Sequence, residues 1–385
     1  MQPKRRLCIG AGVTLPLTMM LDGCASTAVV LQQSDLPVNA VVNASYAGIA
    51  AATTNGIPHY KTLQQALDGA PVNSTTPWRI ALRNGRYHEK LEVTKPHIQL
   101  IGESRTATVI TFDAYAGQKK PDSSSTWTTA GCATLTVRAP DFAASNLTIE
   151  NTYDYLGNDG KAADDPSRSN DPQAVAFMLA AGSDRACLRD VTLTGHQDTL
   201  FVDAGRSYFA SCTVSGGVDF IFGAGQAVFD LCDIISRPRR KPNIYPIGYV
   251  TAPSTQIRDQ YGLVFLRCKL LKESALVPAT STALGRPWHP AANMPDGRYA
   301  DPNAIGSSVF IECFMEDHIT NEAWFSMTGV QKNGPNRTVF LPEDSRFFEY
   351  KSSGPGAKIN DKRRQLTDAQ AAEYTVAKVL RGWQP

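Results

Sequence analysis

"SCTVSGGVDFIFGAGQAVFDLCDII", Ser211–Ile235, holds two strand-like runs, SCTVS and LCDII, each with a cysteine at its second position. Related runs stand at "SNLTI" from Ser145, "RDVTL" from Arg189, "RCKLL" from Arg267 and "ECFME" from Glu312. Counted at their second positions, Asn146, Asp190, Cys212, Cys232, Cys268 and Cys313, the steps are 44, 22, 20, 36 and 45 residues. A repeat of 20 to 22 residues accounts for the shorter steps, 44 is a double step, and the last two carry insertions. A unit of that size, built of short β-runs and turns with few helical patterns, predicts an all-β chain wound as a single-stranded parallel β-helix. Leucine-rich repeats have a similar length but need an LxxLxL frame that is absent. An ordinary β-sandwich with accidental spacing is the alternative.

In such a coil, residues one turn apart stack at the inter-strand spacing of roughly 4.8 Å. Cys212 and Cys232 then fall within disulfide reach. "GHQDTLF" (Gly195–Phe201) and "GGVDFIFG" (Gly216–Gly223) each place one aspartate in an apolar run, Asp198 and Asp219, 21 residues apart. Gln173 and Gln197 are 24 residues apart, so all four side chains are expected in one ladder. Two carboxylates that close cannot both ionise cheaply, which suits one acid and one nucleophile or base. The glutamine amides are donors suited to a developing oxyanion. A purely structural polar stack inside the coil is the competing explanation. His196 shares a strand face with Asp198 and reads as a structural histidine.

The chain has 385 residues, 42% of them hydrophobic, with 38 basic against 36 acidic side chains. That balance, with no long run of one sign, argues against a nucleic-acid partner. "MQPKRR" followed by "LCIGAGVTLPLTMML" and "DGCASTA" reads as an export signal over residues 1–28, leaving residues 29–385 as one domain. Two processing routes compete: a lipobox-like "LDGC" that leaves Cys24 lipidated, or cleavage near Ala28. Both send the chain out of the cytoplasm, to be secreted or attached to the outer membrane, where disulfides persist. No later run is long and apolar enough for a membrane span. No CxxC or Cys/His cluster is present, so neither a metal nor any other cofactor is expected.

From "NGRYHEKLEV" (from Asn84) through "DPQAVAF", "GHQDTLF" and "VDFIFG" to "LGRPW" (Leu284–Trp288), the chain resembles the pectin methylesterases, right-handed parallel β-helices that hydrolyse methyl esters of polygalacturonate. The resemblance implies Asp219 as nucleophile, Asp198 as general acid/base, Gln173 and Gln197 as oxyanion donors, and Arg286 as the residue positioning Asp219. It implies Trp288, Phe222 and Val218 as sugar contacts and a Cys212–Cys232 disulfide. Gly217 stands where the family usually has threonine, and the polar, proline-rich stretch from Arg237 follows no clear family pattern.

These residues lead to an exported carboxylic ester hydrolase acting on pectin as a monomer. The loops from Tyr153 and from His289 are expected to wall its groove. Short helices, at "YKTLQQALDGA" from Tyr60 and at "TDAQAAEYTVAKVLRG" from Thr367, are expected to cap the two ends. Other readings are an esterase or thioesterase acting on a different acyl group, a β-helix polysaccharide lyase, and a non-catalytic carbohydrate-binding envelope protein. The paired aspartates and glutamines fit a calcium-dependent lyase poorly, and a binding module has no use for an acid and a nucleophile together.

Overall fold

The computed structural model describes residues 37–385 except 122, 242, 243 and 333. The export signal and the Cys24 and Ala28 processing sites lie outside the described residues. Residues Val38–Pro385 form one compact unit.

The central coils each contribute one short strand to each of three sheets, of 12, 8 and 7 strands among the described residues, paired in parallel except for the hairpin of Thr53–Thr54 with Ile57–Tyr60. The result is the parallel β-helix expected from the repeat. The corner between the twelve-stranded and eight-stranded sheets explains the repeated phrase. Asn146, Asp190, Ser211, Leu231, Arg267 and Glu312 occupy that corner with φ between 53° and 55°, a left-handed conformation that bends the chain sharply from one sheet to the next. Pairing then places Thr148, Thr192, Thr213, Asp233, Lys269 and Phe314 level with one another. The cysteines therefore align with Leu147 and Val191 rather than with Asn146 and Asp190, a frame shift of one residue from the sequence count. Two polar corner residues, Asn146 and Asp190, resemble the position that cysteine fills later; their following apolar residues are the true equivalents.

Inside the coil, like side chains stack. Phe209, Phe229, Phe265 and Phe310 form a column with ring centroids 4.7, 4.6 and 4.4 Å apart and nearly parallel planes. All four are fully buried, and each contributes roughly 1.5–3 kcal/mol of apolar burial.

The helix Leu63–Asp68 opens with the Thr62/Gln65 capping box and buries Leu63, Ala66 and Leu67, packing against the first strands as expected. At the other terminus the Thr367/Gln370 capping box forms, but the position differs from expectation. Val379 and Leu380 pack with Tyr208, Val228 and Val264, on the outward face of the twelve-stranded sheet, because these outward positions are apolar and need cover. The last strand, Arg346–Tyr350, is followed instead by a rung at Gln365, which bridges Glu349. Between them Arg363 is buried in a bidentate pair with Glu349, at 2.8 and 2.5 Å, and donates to the Gly356 carbonyl at 2.8 Å. Such a pair is costly to break because either charge alone would be stranded in the interior.

Candidate active site

The site grows from a second corner, where the chain turns from the eight-stranded into the seven-stranded sheet. Leu200 pairs with Ile221, and the Asp198 amide donates to the Val218 carbonyl at 3.0 Å, so Asp198 and Asp219 are level on adjacent coils. Both adopt left-handed φ, 64° and 48°. That conformation is uncommon for residues with a side chain and persists where the surroundings enforce it. Gln197 bridges Val218 in parallel.

The glutamine ladder depends on a bulge. The Ala174 amide donates to the Gln197 carbonyl at 3.1 Å, which sets Ala174 level with Asp198 and Gln173 level with Gln197. The Ala176 and Phe177 amides then converge on the one Thr199 carbonyl, at 2.9 and 3.2 Å. The bulge absorbs one extra residue, so the glutamines stack although they are one residue further apart than Phe177 and Leu200. The structure thus brings Gln173, Gln197, Asp198 and Asp219 together. Neither glutamine side chain bonds another described residue, and the Gln173 Oε1 is buried without a partner, leaving the amides available to a substrate oxygen.

Asp219 is gripped by Arg286: Nε donates to Oδ1 at 2.8 Å and Nη2 to Oδ2 at 2.6 Å. The fork-on-fork geometry fixes the carboxylate plane. Arg286 itself lies 3.9 Å over the Tyr249 ring, so the guanidinium is held from both sides. Among the described residues Asp198 has no such partner. Burial, reinforced by the negative charge of Asp219 and only partly offset by Arg286, raises its carboxyl well above the usual carboxylate range. One carboxylate is thus held against a cation while burial favours the protonated form of its neighbour, a division of roles set by environment.

His196 is buried against Tyr155, with ring centroids 5.2 Å apart. Burial and the nearby Arg237 push it down to about 3, so it is neutral at physiological pH, in keeping with a structural role. Trp288 is half-buried and packs edge-on over Phe222 at 5.5 Å and Phe201 at 6.0 Å, with Phe201 and Phe222 stacked at 4.2 Å. Phe222 and Val218 are themselves buried. Trp288 therefore offers the open ring face, and Phe222 sets its height from beneath.

Cys212 and Cys232 lie adjacent as expected but stand as free thiols. Each sulfur is turned to a carbonyl one coil back, Leu188 and Phe209 respectively.

Sequence reasoning missed two features. Tyr249 is the first; it lies two residues before Thr251, which pairs with Ile221, and so is level with Asp219. The second joins two loops. Asp159, in the short helix Tyr155–Asp159, receives Arg239 Nη2 at 2.8 Å and the backbone amides of Arg240 and Lys241, both at 2.9 Å. Arg239 lies 5.9 Å over Tyr155. The loop from Tyr153 is thereby tied to the proline-rich stretch from Arg237, and the two are held beside the carboxylates. The loop from His289 folds as a hairpin, Ala291–Met294 against Gly297–Ala300.

If the amides stabilise an oxyanion, Gln197→Ala lowers kcat by about 10²-fold with little change in KM, read from initial rates on an ester substrate. An equal effect on KM alone would instead assign Gln197 to ground-state binding.

The pectinesterase family model matches residues 49–383. The chain belongs to the pectinesterase family. It is 47% identical to Pectinesterase A of Dickeya dadantii over 97% of this chain and 98% of that protein. Among solved structures it is similar to a pectin methylesterase in complex with a hexasaccharide, with 48% identity, a TM-score of 0.84 and coverage of 91% of this chain and 99% of the other. It is also similar to the pectin methylesterase of Yersinia enterocolitica, with 48% identity, a TM-score of 0.81 and coverage of 84% and 99%. Family membership removes the lyase and β-sandwich readings.

Proposed function

We propose that the chain hydrolyses methyl esters of polygalacturonate, with Asp219 as nucleophile and Asp198 as general acid and then general base. The single observation that carries this reading is the asymmetric carboxylate pair: Asp219 held bidentately by Arg286, and buried Asp198 with its carboxyl raised.

The Asp219 carboxylate oxygen attacks the ester carbonyl carbon, and the carbonyl π electrons move onto oxygen, where the Gln173 and Gln197 amides donate. Collapse of this intermediate breaks the bond to the methoxy oxygen. The Asp198 proton goes to that oxygen, and methanol leaves. Asp198, now a carboxylate, takes a proton from water as the water attacks the acyl-enzyme, which frees the galacturonate carboxylate and restores both aspartates. Trp288 supplies a flat apolar face for a sugar ring, and the clamped loops bound the groove. The enzyme is exported and acts as a monomer on polymer outside the cytoplasm, with or without a lipid at Cys24.

Methanol release from highly methylated pectin tests the reading. The expected result is steady methanol release from the pectin, with p-nitrophenyl acetate and acyl thioesters cleaved far more slowly. A folded enzyme that cleaves those small acyl substrates and leaves pectin untouched would overturn pectin as substrate.

A further inference from the structure

Cys212, Cys232, Cys268 and Cys313 each follow a left-handed corner residue, on four successive rungs of the eight-stranded sheet. Their thiols repeat one geometry: Sγ lies 3.5 Å from the Leu188 carbonyl, 3.3 Å from Phe209, 3.3 Å from Phe229 and 3.6 Å from Phe265, always one coil back. None is more than 1% exposed. Parallel pairing sets each of these cysteines level with the next one along the column. The remaining described cysteines stand elsewhere: Cys132 contacts the Thr129 and Gln173 carbonyls, and Cys187 pairs with Tyr208 on the twelve-stranded sheet.

A column of four adjacent cysteines can close as two terminal pairs or as one central pair, Cys232–Cys268, that strands both ends. Cys212 and Cys232 are joined by the shortest segment and emerge first during synthesis, and short loops close at lower entropic cost. Once they pair, Cys268 has one neighbour left. The geometry points to a second disulfide, Cys268–Cys313, beside the Cys212–Cys232 bridge that the family resemblance implies. Each closes when one thiolate attacks a disulfide of an oxidant, a thiol–disulfide oxidoreductase of the export compartment or oxidised glutathione. The second thiolate then attacks the protein sulfur of that mixed disulfide, and the bond to the oxidant breaks as the oxidant's sulfur leaves as a thiolate. Two electrons and two protons leave the cysteines, and the oxidant departs as a dithiol or as two thiols. In the closed coil these sulfurs are out of an oxidant's reach, so pairing precedes final coil closure.

The position has a consequence for the site. Asp219 lies in the segment between Cys212 and Cys232, and Arg286 in the segment between Cys268 and Cys313. Each bridge ties together the rungs on either side of one partner of the Asp219–Arg286 pair.

Peptide mapping decides the matter. Protein exported to the periplasm of an expression host is denatured in iodoacetamide without reductant and digested with trypsin. Cleavage leaves Cys212 and Cys232 together in peptide 207–239, Cys268 in dipeptide 268–269 and Cys313 in peptide 299–332. The expected product is 268–269 disulfide-linked to 299–332, with 207–239 closed on itself. Alkylation of both Cys268 and Cys313, or linkage of 268–269 to 207–239, would overturn the proposal. The double variant Cys268→Ser with Cys313→Ser is expected to melt about 5 °C below the oxidised wild type, and the gap closes when both are measured in reductant. A gap that survives reduction would trace the loss to packing and count against the cross-link.

Discussion

Asp219→Asn loses methanol release by at least about 10⁴-fold in kcat/KM while the β-helix stays folded. The magnitude follows from the role: an amide oxygen is a far weaker nucleophile than a carboxylate, and among the described residues no other carboxylate stands beside Asp198 to replace it. Asparagine is the informative substitution because it keeps the side-chain shape and an acceptor for Arg286. Alanine would leave the Arg286 guanidinium without its carboxylate, at a cost of roughly 3–5 kcal/mol for a buried pair losing one member, and would confound lost chemistry with lost structure. Circular dichroism and binding of the variant to pectin separate the two. A variant that binds pectin normally and retains a tenth of wild-type activity would exclude Asp219 as nucleophile.

The aspartate pair was legible because it rests on periodicity alone. Asp198 and Asp219 are one regular coil apart, so a 21-residue spacing translates into adjacency. The glutamines were legible only because the bulge at Ala176 and Phe177 absorbs the residue by which their spacing exceeds the coil; without it they would be out of step. The same sensitivity shifted the count at Asn146 and Asp190, where polar corner residues mimic the cysteine position. Tyr249 escaped notice because the insertion from Arg237 breaks the period just before it. The Asp159–Arg239 clamp joins loops 80 residues apart, and no periodic signal marks a contact between two insertions. The C-terminal helices show the limit differently. Their capping box is local and forms as read, whereas the surface they cover is decided by outward apolar residues on strands far away in sequence.

Asp198→Asn is expected to lower kcat by about 10³-fold and to remove the alkaline limb of the pH–rate profile. The wild type needs Asp198 protonated when methanol leaves. Burial and the Asp219 charge raise its carboxyl well above the usual range, so activity holds through mildly acidic pH and falls as pH rises through that raised value. Asparagine carries no titrating proton, so the residual activity of the variant lacks this limb. The same shift appears in stability, with a definite sign. A carboxyl whose folded pKa exceeds its unfolded one binds protons more tightly in the folded state; its contribution is fully present below the unfolded pKa and is lost as pH rises through the folded value. Wild-type Tm therefore declines across the window from the ordinary carboxylate range up to the raised pKa of Asp198, and Asp198→Asn flattens that decline. Thermal melts at a series of pH values measure it. A variant whose melting profile falls as steeply as that of the wild type would place the titrating carboxyl elsewhere and remove Asp198 as the acid. If both the rate limb and the stability slope vanish together, one proton accounts for both, and the group that donates to methanol is the one that the fold keeps protonated.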